Sequence, residues 1–458
     1  MTITNPLFLP ELREMLGDND RDGMQAFCEE FHAAAAAEFM VGLSSLETWQ
    51  VLQFTDAATR VEIFSFIEPV KQIEMIETLD RAEMASLIGN LAPDDRVDIL
   101  KEADAAVVAE LMALVPAEER LDILRLRSYP EETAGAMMTT GFARISESAS
   151  VQKAMDELAR QAGDLETIYY LYVVDSSDHL RGVLSCRQLV SSIVREPTAT
   201  IAEVMEHHVV SVDVDDDQEK VAAKVSQYDL LAIPVVDEEH RLLGIITHDD
   251  VLDVMREEAV EDAQRLGAVD PLGEGYLQTA FYTLAWKRGM WLTILFFGAL
   301  LTAVALRHYH TELSHWDWLV LFIPLVISSG GNSGSQSATL IISAIAAGHV
   351  SLGDSLTIVR RELLQGLVLG TFLGIIGFIA AYVLRGNPQE AMVIPLTVLL
   401  VVVCGTLCGA VLPLFFARLG QDPALMSTPF IAGIIDVLGI LIYMTVAIAL
   451  LQPPVAGG

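Results

Sequence analysis

Basic residues are scarce. Across 458 residues the chain has 28 Lys and Arg against 62 Asp and Glu. No basic patch is present to meet phosphates, which excludes a nucleic-acid binder as a class. Cysteine is scarcer still. Cys28, Cys186, Cys404 and Cys408 are too few and too scattered for a disulfide framework. Cys404 and Cys408, four apart in an apolar run, read as small helix packers rather than metal ligands. The first thirty residues carry Glu11, Glu14, Asp18, Asp20 and Asp22 and lack the basic start of a secretory signal, so the expectation is that this half stays in the cytosol. The last 175 residues are short of charge altogether, with seven acids and seven bases, whereas the first 283 hold 55 acids and 21 bases. This split reconciles a net charge of −34 with a mean hydropathy of +0.43. One half is an acidic soluble module whose natural partner is a cation, and the other is a membrane-embedded block. A simple soluble enzyme is excluded.

Five apolar runs fill the second half: Arg288–Leu306, Trp318–Ala346, Leu363–Leu384, Met392–Phe416 and Ser427–Leu451. Each reaches the roughly 20 residues needed to cross a hydrocarbon core. The second is interrupted by Ser328-Ser329-Gly330-Gly331-Asn332-Ser333-Gly334, which predicts a break or bend. Lys287, Arg288, Arg360, Arg361 and Arg418 fall on one side of this ladder, and Arg307 and Arg385 on the other. The positive-inside rule makes the first group cytoplasmic, with the N-terminus inside and the tail Gln452–Gly458 outside. Glycines at 366, 370 and 374, and at 405 and 409, recur every four positions and predict close helix packing.

Asp436 reads as the one ionisable side chain deep within these runs. A carboxylate there costs a few kcal/mol on insertion scales, so it points to a water-filled path more than to a stray hydrogen bond. Residues 330–336, Gly-Gly-Asn-Ser-Gly-Ser-Gln, support that reading, because irregular backbone at membrane depth is tolerated where it lines a cavity and offers carbonyl ligands.

In the soluble half, two stretches repeat one plan. Met138 leads through Tyr169-Tyr170-Leu171-Tyr172-Val173-Val174-Asp175 to Gly182-Val183-Leu184-Ser185. Met205 leads through Leu231-Ala232-Ile233-Pro234-Val235-Val236-Asp237 to Gly244-Ile245-Ile246-Thr247. Each predicts a helix, a buried strand, a turn, and a strand ending in a helix-capping hydroxyl. The tandem resembles a pair of CBS domains. Upstream, residues 5–128 read as all-helical, with Arg60-Val61-Glu62-Ile63-Phe64, Arg96-Val97-Asp98-Ile99-Leu100 and Arg120-Leu121-Asp122-Ile123-Leu124 as a loose repeat.

After the second CBS repeat, Asp249, Asp253, Glu257 and Glu261 lie four apart, with Asp250, Glu258 and Asp262 beside them. Like charges at that spacing repel on a helix, and only Arg256 and Arg265 offer relief nearby. The pattern fits either a solvated acidic face or a site neutralised by hard divalent cations, which favour oxygen ligands. An EF-hand at Asp213-x-Asp215-x-Asp217 fails, because Gln218 stands where glycine is needed and Lys224 where glutamate is needed.

The whole chain resembles the MgtE family of magnesium channels. The resemblance rests on Glu131-Glu132-Thr133-Ala134-Gly135-Ala136-Met137-Met138, Gly330-Gly331-Asn332-Ser333-Gly334-Ser335-Gln336, Asp422-Pro423-Ala424-Leu425 and Asp436-Val437-Leu438-Gly439. It implies a multidomain membrane protein: an all-α acidic helical-repeat N domain (1–130), α/β tandem CBS domains (131–200 and 201–254), a long connecting helix (255–283) and a five-helix transmembrane domain (284–458). It further implies a homodimer in the lipid of an inner membrane, with the pore on the two-fold axis. Hydrated magnesium would be met by Asp436, Asn332 and backbone near Gly331 and Ala432. Cytosolic magnesium would be held among Glu62, Asp94, Asp98, Asp217, Glu219, Asp229, Asp250, Asp253, Glu258, Glu261, Asp262 and Asp422. Family members that bind ATP use an acid in the first CBS repeat; here Tyr170 and Arg187 are kept but Gln188 takes the acid's place, which counts against a nucleotide in that repeat. The reading is a magnesium channel closed by cytosolic magnesium. Its rivals are a secondary divalent-cation exchanger using Asp436 and an intramembrane aspartyl enzyme, the latter short of a second carboxylate in each chain.

Overall fold

The computed structural model describes residues 6–163, 165–273 and 275–451. The tail 452–458, expected on the outer side, lies outside the described residues. The chain divides into two units, Met1–Arg256 and Glu257–Gly458.

Ten α-helices open the first unit: α1 (Leu9–Asp18), α2 (Arg21–Glu30), α3 (Ala33–Phe39), α4 (Ser45–Leu52), α5 (Ala57–Ser65), α6 (Pro69–Thr78), α7 (Arg81–Asn90), α8 (Pro93–Glu102), α9 (Ala105–Leu114) and α10 (Ala117–Leu126). Part of the acid content builds them. Asp20, Asp56, Asp80 and Asp104 accept main-chain N–H groups at the starts of α2, α5, α7 and α9, caps worth about 1 kcal/mol each. The repeated arginine works at the opposite end. Arg60 donates to the carbonyls of Leu52, Gln53 and Thr55 at the end of α4. Arg96 donates to Gly89 and Leu91 at the end of α7, and Arg120 to Met112 near the end of α9. The loose repeat is therefore a device for closing the preceding helix, whose last carbonyls have no partner of their own.

Each CBS repeat follows. The first has α11 (Ala134–Met137), β1 (Phe142–Ser146), α12 (Val151–Gln161), β2 (Thr167–Val174), β3 (Leu180–Ser185) and α13 (Cys186–Arg195). The second has α14 (Ile201–Val204), β4 (Val212–Asp213), α15 (Gln218–Tyr228), β5 (Ala232–Val236) and β6 (Leu242–Thr247). In both sheets the first strand runs parallel to the second, and the second antiparallel to the third. The repeats interlock, because Thr139 bridges to Ile245 and Val183 to Glu206. Gly182 and Gly244 permit this: a Cβ on Gly182 would stand 2.9 Å from the Glu206 carbonyl oxygen, and one on Gly244 2.8 Å from that of Thr139.

The connecting helix, expected over 255–283, is α16 (His248–Leu266). It starts earlier and stops at Gly267 and Ala268, the latter left-handed at φ +57°. Residues 267–280 form no helix among those described.

The second unit continues with α17 (Phe281–His308), α18 (His310–His315), α19 (Ile323–Ala346), α20 (Ser355–Arg385), α21 (Pro388–Ala391), α22 (Val393–Arg418) and α23 (Thr428–Leu450). Among the described residues four helices, α17, α20, α22 and α23, are long and apolar enough to cross a membrane. The fifth expected span, α19, has 24 residues and so measures about 36 Å, but its Ser, Gly, Asn and Gln lower its hydropathy. The predicted break at 328–334 is corrected: α19 is unbroken there. Its glycines serve packing. A Cβ at Gly405 of α22 would stand 2.5 Å from the Gly330 carbonyl oxygen, and one at Gly334 would stand 3.2 Å from that of Gly405. Gly366, Gly370 and Gly374 of α20 likewise face Thr406, Leu399 and Pro395 of α22. The glycine stripes are contact faces, as their spacing predicts.

Candidate functional site

In the second unit, α19 meets α23 where neither has bulk. Gly331 packs on Ala432, whose Cβ would lie 3.5 Å from a Cβ on the glycine, and Asp436 Oδ1 would lie 3.8 Å from that same point. Gly331, Ala432 and Asp436 are thus neighbours. Asn332 is exposed and donates to Ser328 Oγ on its own helix at 3.2 Å. The carbonyls of Gly331 and Ala432 belong to continuous helices, so each keeps one lone pair beyond its helical bond. Asp436 is half-buried. It is not the only carboxylate among these helices. Glu362 on α20 is 4% exposed and accepts from Ser337 Oγ of α19 at 2.6 Å. The sequence hid it, because Arg360 and Arg361 mark its neighbourhood as the end of a span.

In the first unit, α8 and the start of α16 bring acids together. Burial, and then the charges of Asp250, Asp95 and Glu166, hold Asp94 well above the usual carboxylate range. Its Oδ1 is buried without a hydrogen-bond partner. Burial also raises Asp95, against a bond from Ser65 Oγ, with Asp98 and Asp249 adding to the rise. Asp250 goes up to about 6, chiefly by burial, although Thr247 Oγ1 donates to it at 2.6 Å. Glu166 lies at the surface, yet desolvation and then Asp95, Asp250 and Asp249 push it up to about 7. Sequence reasoning named Asp94, Asp98 and Asp250, and put Asp249 in the acidic stripe beside Asp250, but missed Asp95 and Glu166 as members of this group. Glu166 precedes a strand far from the other acids in sequence and carried no signal.

The other expected ligands are dispersed. Glu62 and Asp253 are exposed. Asp217 caps α15 by accepting the Glu219 N–H at 2.9 Å, and Asp229 ends that helix in the left-handed region. In the second unit Arg265 pairs with both Glu261 and Asp422. Asp262 is raised by burial, then by Asp422 and Glu258. Among the described residues no three His, Cys, Asp or Glu side chains form a ready-made metal site. Carboxylate oxygens are nonetheless the donors a hard cation uses, and an orphaned buried oxygen at Asp94 fits such a ligand.

In the first CBS repeat, Tyr170 pairs with Ser185 across β2 and β3, and Arg187 is exposed. The Gln188 side chain is committed to the helix cap, accepting from the Ser185 N–H at 2.9 Å and its hydroxyl at 2.8 Å.

Comparison with known proteins matches each part. Residues 323–446 fit the MgtE family model, described as a divalent cation transporter; residues 31–132 fit the MgtE intracellular N domain; residues 134–195 and 201–257 fit the CBS domain. The chain is similar to the magnesium transporter MgtE of Thermus thermophilus, 41% identical over 71% of this chain and 72% of that protein. It is 38% identical to the Enterococcus faecalis magnesium transporter MgtE over 70% of each chain, and 33% identical to that of Bacillus subtilis over 71% of each. Two solved structures resemble its first part. The soluble part of a magnesium transporter is 34% identical, with a TM-score of 0.51, and covers 55% of this chain and 97% of its own. The cytosolic domain of the Mg2+ channel MgtE in complex with ATP is 35% identical, with a TM-score of 0.50, and covers 56% of this chain and 100% of its own. With relatives this similar over more than two thirds of their length, the chain belongs to the MgtE family of divalent cation transporters.

Proposed function

We propose that this protein is a magnesium channel of the inner membrane, closed by cytosolic magnesium. The observation that carries it is the meeting of Gly331, Ala432 and Asp436: a carboxylate among apolar helices, beside the one stretch of α19 with no side-chain bulk. Magnesium sheds its water reluctantly, so the carboxylate acts on a hydrated ion through its water shell. A homodimer would present Asp436 twice and balance the divalent charge. The exposure of α17, which buries none of its residues, supports a partner or lipid around it. With α19 counted as a fifth span, Lys287, Arg288, Arg360, Arg361 and Arg418 share one side, and that bias supports a cytosolic soluble half.

Gating follows from the acids. Asp94, Asp95, Asp249, Asp250 and Glu166 repel one another in the first unit, and Glu258, Asp262 and Asp422 do so in the second. A divalent cation converts that repulsion into cohesion, and a ligand shifts such an equilibrium by its differential affinity for the two states. ATP is a minor prospect: the relative bound to ATP supports it, and the commitment of Gln188 to its helix cap weighs against it in the first repeat.

Asp436→Asn keeps shape and removes charge. In liposomes it should abolish magnesium flux with dimer assembly intact. Parental flux in that variant would refute the pore assignment. Discrete single-channel openings with magnesium as the sole permeant cation would separate a channel from an exchanger.

A further inference from the structure

Glycine contacts between α19 and its neighbours are close but smooth. They hold the helices at a short distance, with the Gly330 and Gly334 carbonyls set against Gly405 and Gly409. Two directional bonds add a constraint along the axis. Among the described residues, two side-chain hydrogen bonds leave α19 for other helices: Ser335 Oγ to the Thr428 carbonyl at 3.2 Å, and Ser337 Oγ to Glu362 Oε2 at 2.6 Å. The second is buried at both ends, each side chain being 4% exposed. Thr406 of α22, 1% exposed, shares its hydroxyl proton between the main-chain carbonyl of the same Glu362 and that of Val403 on its own helix, each at 3.1 Å. One residue of α20 therefore ties α19 and α22 at one level.

No ion pair explains Glu362. Among the described residues none of the salt bridges includes it. The facing elements offer nothing to neutralise it: α19 has no charged residue, and α22 has only Arg418, twelve residues beyond Thr406. Arg360 and Arg361, its neighbours in sequence, are exposed. What Glu362 supplies is a hydrogen-bond acceptor in a dry place, where an unmet hydroxyl would be costly.

We infer that Glu362 is a positioning residue for the ion path: it fixes the axial register of α19, and through it the placement of Gly331 and Asn332 against Asp436. Ser337 lies six residues from Gly331 on an unbroken helix, about 9 Å along its axis, so a rigid rod carries the constraint directly. This inference rests on the proposed function of Asp436.

The test is selectivity. Liposomes holding Glu362→Ala, Ser337→Ala, Glu362→Gln, Asp436→Asn or the parent are assayed for magnesium and calcium flux. Calcium takes a larger and more variable oxygen shell than magnesium, so a site out of register discriminates less. Glu362→Ala and Ser337→Ala should each lower the magnesium-to-calcium ratio on the order of tenfold, the scale of one lost buried hydrogen bond. Glu362→Gln retains an acceptor and should stay near the parental ratio. Size-exclusion profiles identify any variant that fails to fold, and Ser337→Ala, a smaller change, carries the test if Glu362→Ala does. A parental ratio in folded Ser337→Ala, or a Glu362→Gln as defective as Glu362→Ala, would overturn the inference. If Asp436→Asn conducts normally, the underlying pore assignment fails instead.

Discussion

Glu166 is a surface carboxylate raised first by desolvation and then by the charges of Asp95, Asp250 and Asp249. Asp436 stands instead beside Gly331 and Ala432. For Glu166 and Asp250 the folded values, about 7 and about 6, exceed the ordinary 4.5 and 3.8. The folded chain therefore holds these protons more tightly than the unfolded one. The stability they contribute is fully present below about pH 4 and is lost as pH rises through 6 to 7. Apparent melting of the first unit should fall between pH 5 and pH 7.5 without magnesium. Glu166→Gln should flatten that slope, and millimolar magnesium should do the same in the parent. A slope unchanged by both would remove this cluster from the sensor. At the pore, Gly331→Val should cut magnesium flux more than Asn332→Ala, because added bulk meets Ala432 and Asp436, whereas Asn332 is exposed; ion flux in liposomes measures both. Asp436 was legible as a lone charge in an apolar run. Glu166 was not, because what raises it comes from residues over sixty positions away in the chain.

At the level of the helix, the arginines of the N-terminal repeat make the sharpest prediction. Arg96→Ala should destabilise the end of α7 by about 1–3 kcal/mol, since two carbonyls lose a charged donor. Arg96→Lys should recover only part, a point charge replacing a planar fork. Hydrogen exchange of the α7 amides reads this directly. The sequence displayed the repeat but not its purpose, because the acceptors are main-chain carbonyls of the preceding helix and have no letter of their own. The opposite error occurred at α19. Gly330, Gly331 and Gly334 read as breakers, yet they face α22 and α23 and let an unbroken helix approach them. Glycine's role depends on what lies across from it, and that is tertiary information. Strand β4 escaped notice for another reason: two residues are too short to show a period.

For the whole molecule, the division into an acidic and an apolar half was plain from charge counts alone, whereas the order of domains needed the two strand repeats and the family resemblance. Magnesium at millimolar levels should protect the soluble half from protease, and sodium at equal ionic strength should not. Replacing Glu258, Glu261 and Asp262 by alanine should leave the channel open at magnesium levels that close the parent; closure at the parental concentration would make those acids a solvated face. Arg13, Arg60, Lys71, Arg81, Arg96 and Arg120 all donate to main-chain carbonyls inside the helical array. Arg81 also pairs with Glu110, but the other bonds go to main chain rather than to carboxylates, and the 21 bases of the first 283 residues are outnumbered by 55 acids. Such a surface behaves as an ion-exchange resin of molecular size. Potassium in the surrounding fluid would occupy it as a diffuse cloud, and magnesium must displace that cloud to bind. The concentration at which the protein responds to magnesium is then set partly by the monovalent salt of the compartment, and should rise as that salt rises.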